Sequence, residues 1–174
     1  IANAEQSGSI GACLVSTGVA STNTITGVLS AWQDGIPCIF ISGQNILEET
    51  SRFTEIPLRT FGQQEADIIS MVENITKFSI MITKPEEIVH AMDKALFEAQ
   101  SGRKGPVWID IPLNLQSAKV DLDRILSDND RYEPPKNVPD LSEMENVING
   151  LKSASRPVVL IGRGVRSSGA ETKL

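Results

Sequence analysis

Residues 16–23, STGVASTN, lie between the apolar run GACLV and an amphipathic run, and none of their side chains is charged. Strand-to-helix junctions of this kind bind ligands in open α/β sheets. A loop that binds phosphate directly usually adds Lys or Arg to its backbone donors. This loop offers only small side chains, hydroxyls and peptide groups, with Gly18 and Ala20 leaving space. It therefore predicts a binding site for a flat, neutral heteroaromatic ring rather than for a diphosphate.

A second candidate segment is TFGQQEAD, residues 60–67, where an irregular stretch meets the start of a predicted helix. Phe61, Gln63 and Gln64 stand where the chain turns back towards the sheet. A glutamine can orient a polar substrate without adding charge. The segment equally fits a loop that gives its helix a polar N-terminus, and the residues alone do not decide between the two interpretations.

A third candidate is GRGVRSSG, residues 162–169, which follows an apolar run and precedes a helical pattern. It approaches the dinucleotide fingerprint G-x-G-x-x-G, but Ser167 replaces the last glycine. A glycine turn that leads a strand into a helix explains the pattern better than direct phosphate contact does.

The remaining reactive side chains point away from nucleophilic or metal chemistry. His90 is the only histidine, and it shares a predicted helix face with charged residues. Glu86 and Glu87 are adjacent on that helix, so their side chains diverge by about 100° and do not converge on a substrate. Cys13 and Cys38 each lie in an apolar run, which is typical of buried free thiols in a reducing cytoplasm. No residue is predicted to bind a metal.

Composition narrows the function classes. The chain has 174 residues, 40% of them hydrophobic, and a net charge of −6. That charge argues against nucleic acid and anionic membranes as partners, and no apolar run approaches the roughly 20 residues of a membrane span. The sequence starts at Ile1 and ends within an apparent helix start, SSGAETKL. We expect a cytoplasmic protein and a piece of a longer chain.

Strands and helices alternate through the first part of the sequence, which predicts a parallel sheet with right-handed crossovers. The expected fold class is α/β: a flavodoxin-like, doubly wound sheet with helices on both faces. The clearest helix begins after Thr83, its expected N-cap, and ends at Gly102. The predicted strands are residues 11–17, 38–42, 77–83 and 105–112, the predicted helices are residues 22–32, 64–72 and 84–101, and residues 46–62 are predicted to be irregular.

The composition changes after residue 118. Residues 119–140 are charged and contain Pro134, Pro135 and Pro139, which predicts an extended linker between domains. Residues 141–174 then predict the start of a second α/β domain, with a helix capped by Ser142 and a strand at residues 156–164.

Several of these segments together resemble one family. Residues 11–44, GACLVSTGVASTNTITGVLSAWQDGIPCIFISGQ, resemble the thiamine-diphosphate-dependent enzymes, and among them the acetolactate synthase-like branch. The similarity continues in register through QQEADIISMVENITKFSIMITKPEEI, SGRKGPVWIDIPLNLQ and RPVVLIGRGVRSSGA, so it spans nearly the whole chain apart from the linker. The resemblance is specific to the family but does not identify a substrate.

The resemblance implies a fold, a cofactor and site residues. It implies a first domain, residues 1–118, that receives the pyrimidine ring of thiamine diphosphate, with Mg²⁺ held outside this chain. The active site is shared between subunits of a homodimer or larger oligomer and acts on a 2-oxo acid. Gln64 would face the substrate as the catalytic candidate. The residues implied in cofactor contact are Thr17, Gly18, Val19 and Asn23 for the ring, and Gly162 and Gly164 for FAD in flavin-containing members.

Two departures from the family pattern qualify this expectation. The family's Gly-Pro-Gly is Gly18-Val19-Ala20 here, and Ala20 narrows the loop. The family's activating glutamate lies further upstream than this sequence extends, and Glu5 is too close to the strand to replace it. The family's diphosphate-binding motif is also missing from this sequence. The chain alone is therefore predicted to be inactive. A non-catalytic nucleotide- or flavin-binding α/β module is the alternative.

Overall fold

The computed structural model describes residues 1–127, 132 and 140–173. The chain forms two compact units, Ile1–Tyr132 and Glu133–Leu174. The helices and strands of the first unit are α1 Ala2–Ser7, β1 Gly11–Val15, α2 Val19–Thr22, α3 Ile25–Asp34, β2 Cys38–Gln44, α4 Ile68–Val72, β3 Phe78–Met81, α5 Glu87–Gln100, β4 Pro106–Pro112, α6 Leu113–Gln116 and α7 Leu122–Ser127.

The four strands form one parallel sheet in the order β1-β2-β4-β3. Gly11 pairs with Cys38, Cys38 with Pro106, and Phe78 with Val107. Because all four strands run the same way, their carboxyl ends meet at one edge of the sheet, where the loops that follow β1, β2 and β4 come together. The predicted parallel α/β architecture is confirmed.

Helices cover both faces of this sheet. On one face, Phe40 and Trp108 pack against α3 and α4, and their rings stack with centroids 5.3 Å apart. On the other face, Val107 and Ile109 pack against α5. Alternate residues of β4 therefore point to opposite cores, which explains why this strand is apolar almost throughout. The predicted doubly wound arrangement is confirmed.

The start of α5 differs from the prediction. The helix begins at Glu87, and Thr83 is not its N-cap. Instead, the Glu87 carboxylate accepts hydrogen bonds from the backbone N–H of Thr83 at 2.9 Å and of Lys84 at 3.2 Å. A carboxylate in the first helical turn satisfies free backbone donors and also interacts favourably with the helix dipole.

The predicted extended linker is wrong for part of its length. Leu122–Ser127 forms a helix, and Ile125 is buried. Further along, the Tyr132 hydroxyl donates to the Glu98 carboxylate of α5 at 3.1 Å. The apolar residues of LDRIL therefore form a helix with a buried isoleucine in a segment whose charge had predicted an extended chain. The three linker prolines lie outside the described residues.

The second unit contains α8 Leu141–Ser153 and α9 Gly164–Ser167. The cap of α8 is Asp140, whose carboxylate accepts from the Ser142 backbone at 2.9 Å, so the prediction of Ser142 as the cap is wrong. The apolar stripe of α8 is exposed, and the strand predicted at residues 156–164 does not form. A strand needs a hydrogen-bonding neighbour, and the described part of this unit provides none.

Candidate functional site

A groove of about 690 Å³ opens at the carboxyl edge of the sheet, above the ends of β1, β2 and β4. The residues that line it are uncharged and include Ser16, Thr17, Gln44 and Asn45, with aliphatic side chains such as Ile41 beside them. An apolar groove with a few amide and hydroxyl groups suits a neutral polar ring better than it suits a phosphate.

Gly18 packs directly against the backbone of Gln64. A Cβ built on Gly18 would lie 1.9 Å from the Gln64 carbonyl oxygen. Gly18 has a φ of 64°, and Gln64 has the positive φ of 56° that is unusual for a residue with a side chain. The fold therefore brings together two segments separated by more than forty residues in sequence. The space expected at Gly18 is filled by Gln64, whereas the neighbouring Val19 is 69% exposed.

The buried amide of Gln44 connects these segments to the sheet. Its oxygen accepts a hydrogen bond from the Thr17 hydroxyl at 2.7 Å. Its nitrogen donates to the Ala66 carbonyl at 3.0 Å and to the Asp110 carboxylate at 3.1 Å. One side chain thus joins the loop after β1, the segment that contains Gln64, and the end of β4.

Asp110 is fully buried beneath this amide. Its carboxylate accepts from the Ser42 hydroxyl at 2.5 Å, and the Trp108 indole N–H donates to that hydroxyl at 2.8 Å. Burial raises the pKa of Asp110 to about 6, although the hydrogen bonds from Ser42 and Gln44 oppose the change. Neither Asp110 nor Gln44 was predicted from the sequence as a site residue. The signal was a single carboxylate inside the apolar strand WIDIP, because such a group needs polar partners.

Glu65 anchors the loop that carries Gln64. Its carboxylate accepts from the backbone N–H and the hydroxyl of Ser51, at 2.5 and 2.6 Å, and from the Phe61 N–H at 2.6 Å. Burial acts against the charged form of Glu65, but the hydrogen bonds from Ser51, Phe61 and Gly62 outweigh it and hold the pKa below its usual value. With Glu65 turned inwards, the adjacent Gln64 side chain is exposed.

The sequence that builds this groove is similar to known proteins. Residues 1–71 match the family model of the thiamine pyrophosphate enzyme N-terminal TPP-binding domain. Along 98% of its length the chain is also 33% identical to a probable acetolactate synthase large subunit of Methanocaldococcus jannaschii. Residues 1–71 belong to that N-terminal domain family, and the chain as a whole is similar to acetolactate synthase large subunits.

Two bacterial relatives agree. The chain is 32% identical to the acetolactate synthase large subunit of Corynebacterium glutamicum and 30% identical to isozyme 3 of Escherichia coli, in both cases over 98% of its length. It spans 28% of the archaeal relative, 26% of the Corynebacterium protein and 29% of the Escherichia coli protein. The predicted resemblance to the acetolactate synthase-like branch of the thiamine pyrophosphate enzymes is confirmed.

The residues predicted to contact thiamine diphosphate lie in different places. Thr17 lines the groove at the carboxyl edge, and Gly18 lies next to it beneath Gln64. Asn23 is exposed and lines a separate groove of about 260 Å³ together with Cys13 and other residues of β1, β2 and α3. The contacts implied by membership of the thiamine pyrophosphate enzymes therefore stay predictions for all of these residues.

Gly162 and Gly164, predicted to lie against FAD, belong to the second unit. A Cβ at either position would meet no atom within 4 Å, and Gly164 begins the four-residue helix α9. Nothing in the local packing therefore requires glycine at these positions. Their assignment to a flavin site stays a prediction.

His90 and the two cysteines do not line the groove at the carboxyl edge of the sheet. His90 is exposed, and its ring packs edge-on against Tyr132. Cys38 is a buried free thiol, as predicted, and burial raises its pKa. Cys13 is also a free thiol, but it is only half-buried, so the prediction of its burial is wrong. Among residues 1–127, 132 and 140–173, no group of three His, Cys, Asp or Glu side chains has the arrangement of a metal site. In that same part of the chain, no helix has the length and apolar character needed to cross a membrane.

Proposed function

We propose that this chain forms the pyrimidine-binding part of a thiamine-diphosphate-dependent enzyme that decarboxylates a 2-oxo acid and transfers the resulting unit to an acceptor. The observation that supports this most is the uncharged groove at the carboxyl edge of the sheet, with Gln64 held beside it against Gly18. The acetolactate synthases to which the chain is similar supply the reaction class.

The residues present fit one end of the cofactor. The hydroxyl and amide groups of the groove can hydrogen-bond a neutral aminopyrimidine, and its aliphatic walls can contact the ring faces. In this proposal Thr17, Gly18, Val19 and Asn23 form the loop region beside the ring. Mg²⁺ and the diphosphate are held elsewhere, because the residues that line the groove are uncharged. When bound, thiamine diphosphate supplies the electron sink for loss of carbon dioxide.

Gln64 is the proposed substrate-facing residue. Its backbone is fixed by contact with Gly18 and by the neighbouring Glu65 anchor, while its side chain is exposed. A rigid backbone limits the positions that the amide can reach, so the amide can orient a polar substrate at low entropic cost. In the same proposal, a second copy of the chain completes the site in a homodimer or larger oligomer, and the protein is cytoplasmic. If the enzyme is one of the flavin-containing members, Gly162 and Gly164 would be the residues that lie against FAD.

The test is binding followed by turnover in the intact protein. Isothermal titration with thiamine diphosphate and Mg²⁺ should give saturable binding, and carbon dioxide should be released from pyruvate or a related 2-oxo acid. The absence of binding at millimolar cofactor would contradict the proposal. Copurifying flavin in a protein that ignores thiamine diphosphate would instead support a non-catalytic flavin-binding module.

A matched pair of variants tests the role of Gln64. Gln64→Asn shortens the amide but keeps a residue type that tolerates a positive φ. Turnover should fall by about tenfold or more, with cofactor binding retained, because the substrate loses its orientation. Gln63→Asn, a change in the exposed neighbour, should leave turnover unchanged. Equal effects of the two changes would remove Gln64 from the site.

A further inference from the structure

The Gln44 amide uses all of its hydrogen-bonding capacity on three separate segments. Its nitrogen donates to Ala66 and Asp110, and its oxygen accepts from the Thr17 hydroxyl and from the Asn45 backbone N–H at 3.0 Å. The side chain is only 5% exposed, although it reaches the groove. Two donors and two acceptors are the full capacity of a primary amide. Gln44 therefore holds the other segments of the site in place, and it has no hydrogen-bonding group left to contact a ligand.

Backbone groups fix the orientation of this amide. The Asn45 N–H can only donate and the Ala66 carbonyl can only accept. Rotating the amide by 180° would place its N–H groups against the N–H of Asn45 and its oxygen against the oxygen of Ala66. The hydrogen bonds to Asn45 and Ala66 would then both be lost in a buried position. The free-energy cost of these unsatisfied groups exceeds any gain from the rotated amide. The oxygen of Gln44 therefore faces Thr17 whatever the protonation state of Asp110.

The orientation of Gln44 determines the hydrogen-bonding character of Thr17. A hydroxyl has one proton and two lone pairs. Because the Gln44 oxygen can only accept, the Thr17 hydroxyl must donate its proton to it. Thr17 lines the groove, so it presents an oxygen that can accept a hydrogen bond and has no proton left to donate. Such a group can accept a hydrogen bond from an N–H or O–H group of a ligand but cannot donate one to it.

We infer that Gln44 is a positioning residue, which fixes the Thr17 hydroxyl as an acceptor for an N–H donor of the bound ring and ties the Gln64 segment to the same groove. The identity of that ring rests on the proposed function. The tie between the two loops depends only on the contacts of Gln44 and can be measured without any cofactor.

Binding by Thr17 variants of the intact protein tests the acceptor. Thr17→Val removes the hydroxyl but leaves the Gln44 oxygen bonded to Asn45, so the protein should fold normally. Its dissociation constant for thiamine diphosphate should rise about fivefold to tenfold, as expected for one lost hydrogen bond. Thr17→Ser should restore wild-type affinity, and Thr26→Val, at an exposed threonine of α3 that does not line the groove, should match wild type. Wild-type affinity in Thr17→Val would overturn the inference.

A double-mutant cycle tests whether Gln44 acts through Thr17. Gln44→Met keeps the length of the side chain and removes its hydrogen bonds. If the inference is correct, Gln44→Met weakens cofactor binding in wild type by much more than it does in Thr17→Val. Independent effects that multiply to within twofold would overturn it.

Hydrogen exchange provides the readout that does not need the cofactor. Gln44→Met should speed amide exchange in residues 16–23 and 62–66 and leave α5 protected, because this amide bonds both loops and the end of β4 but no residue of α5. An even increase that includes α5 would indicate general destabilisation and overturn the inference. If wild type fails to bind thiamine diphosphate but the exchange pattern appears, the proposed function fails and the tie between the loops is supported.

Discussion

Replacing Gly18 with alanine tests the contact on which the site is built. The new Cβ would lie 1.9 Å from the Gln64 carbonyl oxygen and 2.9 Å from its carbonyl carbon, so one backbone segment must move. Such overpacking costs about 1–3 kcal/mol. A φ of 64° costs an L-residue about 1–2 kcal/mol more. Gly18→Ala should therefore lower the free energy of unfolding by about 2–5 kcal/mol.

Two other glycines provide matched controls. Gly8 and Gly102 have φ values of 71° and 51°, and a Cβ at either would meet no atom within 4 Å. Alanine at these positions adds the backbone cost of about 1–2 kcal/mol without the contact. The excess loss in Gly18→Ala over the two controls is thus the cost of separating the loop after β1 from Gln64.

Urea unfolding followed by tryptophan fluorescence measures these differences, because one of the two tryptophans, Trp108, is fully buried in the core of the first unit and becomes exposed on unfolding. Thermal unfolding should agree, with a melting temperature roughly 10 °C lower for Gly18→Ala than for wild type. If Gly18→Ala unfolds no more easily than Gly102→Ala, the close contact between Gly18 and Gln64 is absent in solution. The proposal that Gln64 is held beside the groove by Gly18 would then be wrong.

Two further predictions concern buried carboxylates. Burial in the folded state raises the pKa of Asp110 from 3.8 to about 6. The free energy of unfolding that this group contributes is therefore lost as the pH rises from 4 to 6, and the loss amounts to about 3 kcal/mol. Urea unfolding across this range should show a flatter profile for Asp110→Asn, and an unchanged slope would contradict the assignment. The pKa of Glu65 is lowered, so its hydrogen bonds stabilise the folded state at pH values above the ordinary carboxyl pKa. At pH 7, Glu65→Gln should lower the free energy of unfolding by about 1–3 kcal/mol. That loss should shrink as pH falls and wild-type Glu65 becomes protonated, whereas the exposed Glu73→Gln should have no effect.

The first unit was largely predictable because its strands are buried on both faces. Continuous apolar runs at residues 11–15, 38–42 and 106–112 are typical of parallel strands, and the helical spacing between them implies crossovers. The second unit was less predictable. The run RPVVLIG has the composition of a strand, but composition does not supply the neighbouring strand that pairing requires.

The candidate site was likewise predictable from the sequence only in part. The uncharged loop and its position after β1 were predictable, because side-chain type and order along the chain suffice to indicate them. The contact between Gly18 and Gln64 was not, because neither residue carries a local signal for the other. Gln44 and Asp110 lie 66 positions apart in sequence, and nothing in their immediate surroundings reveals that they share a hydrogen bond.

The sequence alone determined the alternation of strands and helices, the neutrality of the loop at residues 16–23 and the family, because each depends on residue types in a linear order. Only the tertiary structure decided that Gln64 covers Gly18 and that Gln44 joins Thr17, Ala66 and Asp110. Hydrogen bonds and close packing act over a few ångströms in space. Parallel strands bring together loops that are distant in the chain, so these contacts exist only once the sheet has formed.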